Sequence, residues 1–150
     1  MPKIAFGLGG NVGNVSENLK HAIRLLCALP YVDAYSLRYS SLYESPALLD
    51  HDAPSEWNMP FINQVVTLEC HMQDWERLLH DVKNIESVIG RIKRGHWAPR
   101  EIDVDIIYID GVHYESDTLT IPHKEAHQRD FVLLPLKEIW EDCAFFNSCI

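Results

Sequence analysis

The segment Arg100-Glu101-Ile102-Asp103-Val104-Asp105-Ile106 carries the strongest chemical signal in the chain. On a β-strand, residues two apart face the same side, so Asp103 and Asp105 project together with Cβ atoms ~7 Å apart. Two neighbouring carboxylates among Ile and Val repel each other and are costly to desolvate. Ile107 and Ile109 continue that face and read as buried, so a solvated strand does not explain the pair. A cation should compensate, and hard oxygen donors suit Mg²⁺ best. Residues 91–100 strengthen the signal. Arg91, Lys93, Arg94 and Arg100 are four of the 13 basic residues, with no acid among them, while the other 140 residues carry 9 bases against 22 acids. A basic loop beside an acidic pair is what phosphoryl transfer requires: metal on the phosphates, guanidinium forks on the remaining oxygens. Trp97, in the same loop, gains little from solvent exposure unless its ring stacks on something.

Of the 8 histidines, His123 stands apart. It follows Pro122 at a strand end and leads into Lys124, His127 and Arg129, a second cationic cluster able to reach phosphates. The glycine cluster near the N-terminus fits neither familiar nucleotide motif. Gly7 and Gly9 are followed by Val12, with Gly13 one place late for G-x-G-x-x-G, and the chain contains no Gly-Lys pair for a Walker A loop. These glycines are expected to let the backbone turn tightly before the first helix.

The elements that must position these residues follow from periodicity. Ile4–Leu8 reads as a buried strand stopping at Gly9-Gly10. Asn14 and Glu17 form an N-terminal capping pair for a helix whose face is Leu19, Ala22, Ile23, Leu26 and Leu29, ended by Pro30. Tyr35, Leu37, Tyr39, Ser41 and Tyr43 share one strand face, Glu44–Pro60 is a long loop, and Phe61–Cys70 is a second β-rich run. Trp75, Leu78, Leu79, Val82, Ile85 and Ile89 return to helical spacing, with Gly90 closing the helix. Ile102–Ile109 is a strand, and Asp110-Gly111 is a type I′ hairpin turn into Val112-His113-Tyr114. A short strand at Leu119–Ile121 precedes a helix over Phe131–Trp140. The order β-α-β-β-α-β-β, without regular βαβ alternation, predicts an α+β sandwich on a mostly antiparallel sheet.

Length and charge exclude other classes. One hundred and fifty residues fit a single domain, 1–150, and 47% hydrophobic content supplies its core. A net charge of −9 opposes nucleic acid or an anionic membrane as partner. No apolar run approaches the ~20 residues of a transmembrane helix, and Met1–Phe6 lacks a signal-peptide pattern, so a cytoplasmic protein is expected. Cys27, Cys70, Cys143 and Cys149 have no zinc-site spacing and are expected to be reduced and structural.

The block Arg91…His96-Trp97-Ala98-Pro99-Arg100-Glu101-Ile102-Asp103-Val104-Asp105 resembles the signature of the 6-hydroxymethyl-7,8-dihydropterin pyrophosphokinase family. Gly7–Gly13, Ser41–Pro46, Pro60–Asn63 and Ile121–Leu136 fall in that family's order, so the resemblance runs from about residue 4 to 140. It implies a ferredoxin-like α/β sandwich and a folate-pathway enzyme that moves pyrophosphate from ATP to the hydroxymethyl group of a reduced pterin, leaving AMP. By resemblance, Asp103 and Asp105 hold two Mg²⁺ ions. Arg91 and Arg100, with Lys93, reach the phosphates from the loop, and His123, Lys124 and Arg129 from the opposite wall. Leu79, Glu86, Ile106 and Thr120 match nucleotide-side positions. Phe61, Trp97 and Phe131 sandwich the pterin, while Asn63 and the backbone near Ser45, Pro46 and Leu48 read its polar edge. The downstream pteroate synthase is a candidate partner. Gly10 stands where the family usually has Ser, Phe61 replaces a frequent Tyr, and Thr118 sits where some relatives carry Arg. Two other readings use the same residues: a paralogue acting on a different alcohol, and a non-catalytic ligand-binding module.

Overall fold

Alternation along the first strand sets the architecture of the protein. In the computed structural model, which describes residues 1–47, 49–95 and 97–147, strand β1 spans Lys3–Gly10. Ile4, Phe6 and Leu8 are buried on one face of it, while Ala5, Gly7 and Gly9 give the other face almost no side chain. The chain continues through α1 (Val15–Cys27), β2 (Val32–Tyr39), β3 (Tyr43–Ser45), β4 (Phe61–Cys70), α2 (Trp75–Ile89) and β5 (Asp103–Ile109). The small strands β6 (Tyr114–Glu115) and β7 (Thr120–Ile121) and helix α3 (Asp130–Ile139) follow.

The sheet order is β2-β4-β1-β5, with β3 continuing along the β4 edge next to β2, and every pairing is antiparallel. Antiparallel neighbours make β1 and β2 run the same way with β4 between them, and likewise β4 and β5 around β1. The helices α1 and α2 are therefore the crossovers of two interlocked β-α-β units, the ferredoxin-like arrangement. Both are amphipathic and well capped. Asn14 accepts from the Glu17 N–H at 3.3 Å and Asp74 from the Arg77 N–H at 3.1 Å, while Gly90 closes α2 at φ 111°. Leu19, Ala22, Leu26, Leu78, Val82 and Ile85 pack on Phe6, Val66, Leu68, Val104 and Ile106. Each fully buried Leu, Ile or Phe here contributes about 1.5–3 kcal/mol.

Helix α3 covers only part of the opposite face. Val132, Leu136 and Ile139 pack with Ala5, Val65, Ile107 and Phe145 in a second core. The rest of that face, where strand parity places Phe61, Asn63, Gly7, Gly9, Asp103 and Asp105, is not covered by the helix. The site is the uncovered half of a sheet.

Several local expectations change. The strand does not stop at Gly9-Gly10; both are paired to β4, and Gly9 to β5 as well. The glycines serve close approach rather than a turn, because a Cβ on Gly10 would lie 2.4 Å from the Glu101 carbonyl oxygen. Tyr35 to Tyr43 is not one strand face: Tyr35 and Tyr39 are exposed, and the register with β4 shifts between Asp33 and Arg38. There the Ser36 hydroxyl donates to Asp33 O at 2.6 Å and accepts from Glu69 N at 2.8 Å, standing in for the ladder across the irregularity. The Glu44–Pro60 stretch contains the end of β3 and a 3₁₀ turn at Ser55–Trp57. Val112 N does bond Ile109 O at 3.0 Å, yet only Gly111 of the turn pair has positive φ, which excludes type I′. Tyr114 accordingly pairs with β7, not with β5. A register shift in β5 also moves Ile109 to the helix-side core, so it does not continue the face of Asp103, Asp105 and Ile107.

Candidate active site

Strand register builds the floor of the site. Gly9 is paired to Asn63 on one side and to Asp103 on the other, and Gly7 to Asp105. The two glycines thus leave a shallow channel between an amide and two carboxylates. Asn63 donates its Nδ2 to Tyr43 O at 3.0 Å and Ser45 Oγ at 2.8 Å, and its Oδ1 lies over Gly9. Pairing of Ser45 with Phe61 brings Ser45-Pro46 to the same end.

Two adjoining cavities open on this floor. The first is walled by Phe61, Phe131, Trp97, Asn63, Ser45 and Pro46. The second is walled by Leu79, Lys83, Ile106, Thr120, Lys124 and the Ser116–Leu119 segment. Trp97, Arg100, Asp103, Asp105, His123 and Arg129 line both. An aromatic slot and a polar trough therefore meet at the residues with the most chemistry. Glu86, Arg91 and Lys93 line neither cavity, and Leu48 lies outside the described residues.

Charge at that meeting point is organised around the carboxylates. Asp103 Oδ1 lies 3.0 Å from Arg91 Nη1 and 3.9 Å from Lys83 Nζ, and its Oδ2 lies 3.5 Å from Arg100 Nη1. Asp105 Oδ1 is 3.7 Å from Lys83 Nζ. Burial pushes both carboxyl groups up, but Lys83, Arg91 and Arg100 together hold Asp103 below its ordinary value. Asp105 is raised to about 6 by burial and by the neighbouring Asp103 charge. Behind the pair, buried Glu86 accepts from Val104 N at 2.7 Å, Lys83 Nζ at 3.0 Å and Arg91 Nη1 at 2.7 Å, while burial raises its own pKa. The cation that paired carboxylates require is thus supplied partly by the protein. Lys83 was not legible as a site residue; its only signal is the i,i+3 spacing of Lys83 and Glu86, a polar pair beside the apolar face of α2.

The basic loop is anchored at its end. The Arg100 N–H donates to Asn11 Oδ1 at 2.9 Å, Asn11 N donates to Arg100 O at 3.0 Å, and Ala98 and Pro99 are buried. Arg94 pairs with Glu101 at 2.6 Å, which holds that carboxyl down at about 2. Trp97 sits at φ 61°, a left-handed conformation that costs a bulky residue about 1–2 kcal/mol, so the surrounding loop must hold it there. The Arg100 guanidinium lies 5.6 Å from the Phe61 ring centroid and that of Arg129 lies 5.7 Å from Phe131. His123 is fixed by its backbone N–H, which donates to Ile107 O at 2.9 Å. Its Nδ1 accepts from Glu125 N at 3.2 Å, which leaves the proton of the neutral ring on Nε2. Burial and Arg129 hold its pKa below the ordinary value.

The donor set fits a hard divalent cation. Two carboxylates share one strand face at the mouth of a polar trough, and no group of three or more His, Cys, Asp or Glu that could hold a metal occurs among the described residues. Such an ion would complete its shell with phosphate and water oxygens, as Mg²⁺ commonly does. No helix among the described residues is long and apolar enough to cross a membrane.

Comparison with known proteins fits this geometry. The family described as 7,8-dihydro-6-hydroxymethylpterin-pyrophosphokinase (HPPK) matches residues 5–141. A 2-amino-4-hydroxy-6-hydroxymethyldihydropteridine pyrophosphokinase of Synechocystis is 39% identical over 136 residues, covering 91% of this chain and 65% of that protein. One of Methylorubrum extorquens is 32% identical over 142 residues, covering 95% and 85%. A folate synthesis bifunctional protein of Chlamydia trachomatis is 34% identical over 132 residues, which is 87% of this chain and 28% of that longer protein. The solved Plasmodium falciparum HPPK-DHPS with SDX-DHP shares the fold, with a TM-score of 0.66 over 95% of this chain and 41% of that one, at 16% identity. With a match spanning nearly its whole length, the chain belongs to the 7,8-dihydro-6-hydroxymethylpterin-pyrophosphokinase family.

Proposed function

We propose that this site transfers the pyrophosphoryl group of ATP to the hydroxymethyl group of 6-hydroxymethyl-7,8-dihydropterin. The observation that carries the reading is the junction of an aromatic slot and a polar trough at Asp103 and Asp105. A flat bicyclic ring needs aromatic faces, supplied by Phe61, Trp97 and Phe131, and its donor-rich edge suits the Asn63 carbonyl oxygen and the Ser45-Pro46 backbone. Leu79, Ile106 and Thr120 line the nucleotide side, and Lys124, Arg129, Arg100 and the His123 Nε2–H meet the phosphates. Arg91 and Lys93 join from the loop. Asp103 and Asp105 would hold two Mg²⁺ ions, which when bound draw charge from the phosphate oxygens and lower the pKa of the alcohol.

In the transfer, the hydroxymethyl oxygen bonds to the β-phosphorus and the bond from that phosphorus to the α–β bridging oxygen breaks. AMP leaves with the bridging oxygen, and the alcohol proton passes to water. Holding the two substrates in line and neutralising charge supply most of the acceleration. Arg100 and Arg129 lie over the Phe61 and Phe131 rings in the free protein, so entry of a ring would send both guanidinium groups toward phosphate. The names of the fused relatives support a pteroate synthase as the consumer of the product, and soluble substrates support a cytoplasmic enzyme.

Incubation with ATP, Mg²⁺ and 6-hydroxymethyl-7,8-dihydropterin should release AMP and pterin pyrophosphate in equal amounts. Release of ADP, or turnover only with a different alcohol, would overturn the assignment.

A further inference from the structure

We propose that Lys83 is a resident counter-ion of the Asp103–Asp105 pair that keeps divalent metal off the carboxylates until nucleotide phosphates arrive. The inference rests on the reading of that pair as metal ligands. Among the described residues, Lys83 is the one cationic side chain paired with both carboxylates, at 3.9 Å from Asp103 and 3.7 Å from Asp105. Its head is tethered. It donates to Glu86 Oε2 at 3.0 Å and to Val104 O at 3.0 Å, and its backbone belongs to α2, next to the fully buried Val82. Glu86 is in turn held by the Val104 N–H at 2.7 Å. Moving the ammonium away would leave buried Glu86 with Arg91 as its one cation and the Val104 carbonyl without this donor, which is unfavourable.

The arginines at the same carboxylates differ. Arg100 donates its Nε and Nη2 to Ala98 O, both at 3.2 Å, and only grazes Asp103 at 3.5 Å; Arg91 opens the basic loop. Arg91 shares Glu86 at 2.7 Å and pairs with Asp103, whereas Arg100 can turn to phosphate when it comes. Lys83 stays on Glu86 and the Val104 carbonyl, so a metal ion on the pair faces a positive charge within 4 Å of both carboxylates. Nucleotide phosphates carry enough negative charge to offset the ion and the ammonium together. The device makes the pair poor for free metal and good for a metal–nucleotide complex.

Mn²⁺ titration of the free protein, read by the electron paramagnetic resonance of unbound Mn²⁺, tests this without pterin or turnover. Lys83→Gln should bind Mn²⁺ at least tenfold more tightly than wild type, and Lys83→Arg should not. Adding Asp103→Asn to Lys83→Gln should abolish the gain, and a non-hydrolysable ATP analogue should shrink it. Lys83→Met fills the same stem volume and repeats the measurement if Lys83→Gln does not fold. Equal Mn²⁺ affinity of wild type and the neutral variants would overturn the role of Lys83, while leaving the transfer reaction standing. A gain that survives Asp103→Asn, or that nucleotide does not reduce, would overturn it too. Failure of the AMP-release assay would strike the reaction and leave these titrations readable.

Discussion

Carboxylates at the rim of the site and at its centre are held by different chemistry. At the rim, Glu76 accepts from the Thr118 hydroxyl at 2.5 Å, Tyr114 at 2.5 Å and Ser116 at 2.7 Å, fastening the β6–β7 ribbon to α2. Glu138 likewise accepts from the Ser41 hydroxyl at 2.6 Å, the Ser41 N–H at 2.9 Å and the Tyr43 hydroxyl at 2.9 Å, tying the approach to β3 onto α3. These hydroxyl bonds hold both carboxyl groups below their ordinary pKa. At the centre, Asp103 and Asp105 face Lys83, Arg91 and Arg100 instead. A hydroxyl bond to a carboxylate is short, directional and replaceable only by water. An ion pair can be traded for a metal ion or a phosphate of higher charge. The comparison teaches that the frame of the site is built to stay and that its centre, the tethered Lys83 apart, is built to be exchanged.

The largest effect should come from emptying the centre. Asp103→Ala or Asp105→Ala should each lower turnover by about 10³-fold or more, measured as AMP release with MgATP and pterin. Near-wild-type rates in both would remove the pair from the chemistry. Stability should separate the two residues, although simple repulsion predicts a gain for either. Asp105→Asn removes a buried charge beside another of like sign, and the metal-free protein should melt higher, by about 2–4 °C for each kcal/mol gained. Asp103→Asn discards three ion pairs and should melt lower. Equal shifts would show that the cations do not discriminate between the carboxylates.

The loop sharpens the contrast, because it joins fixed and exchangeable parts. Its end is docked through Asn11, so hydrogen exchange in the free protein should already be slow at Arg100, whose N–H is bonded to the Asn11 side chain. A MgATP analogue plus pterin should add protection over residues 92–95, and Arg91→Ala should lower kcat with little change in ATP affinity. Protection that ligands leave unaltered along the whole segment would exclude a closing loop. The smallest effect belongs to the rim. Glu76→Gln should raise the KM for ATP about three- to tenfold at unchanged kcat, because the ribbon loosens while the chemistry is untouched. Glu76 has a lowered folded pKa, so its contribution is present above the ordinary value near 4.5 and lost as pH falls below it. Urea melts from pH 7 to pH 3.5 should show that loss in wild type, and a shallower one in Glu76→Gln.

Much of the fold was legible because it depends on local periodicity. Phe61–Cys70 and Trp75–Ile89 begin and end where composition and capping place them, since a β-branched run and a capped amphipathic stripe each satisfy their own backbone. The illegible parts are those where a neighbour overrides the local pattern. Gly9 and Gly10 look like a turn until β4 pairs with them, and Asp110-Gly111 looks like a hairpin until β7 takes Tyr114. The face of Tyr35 to Tyr43 fails because Ser36 bridges an irregular register that no alternation of types records.

The sequence by itself determined which side chains would share the open face of the sheet. Phe61 with Asn63, and Asp103 with Asp105, share a sheet face because side chains alternate along a strand wherever no bulge intervenes. Tertiary structure alone decided which cation would meet the carboxylates. Lys83 lies 20 residues before Asp103, in a helix whose own pattern makes it an ordinary polar position. Only the packing of α2 across β5, with Glu86 bound to the strand backbone at Val104, turns its ammonium toward the pair. The physical reason is range: a strand's parity is set within three residues, whereas an ion pair between helix and strand depends on how two elements cross, which no local spacing contains.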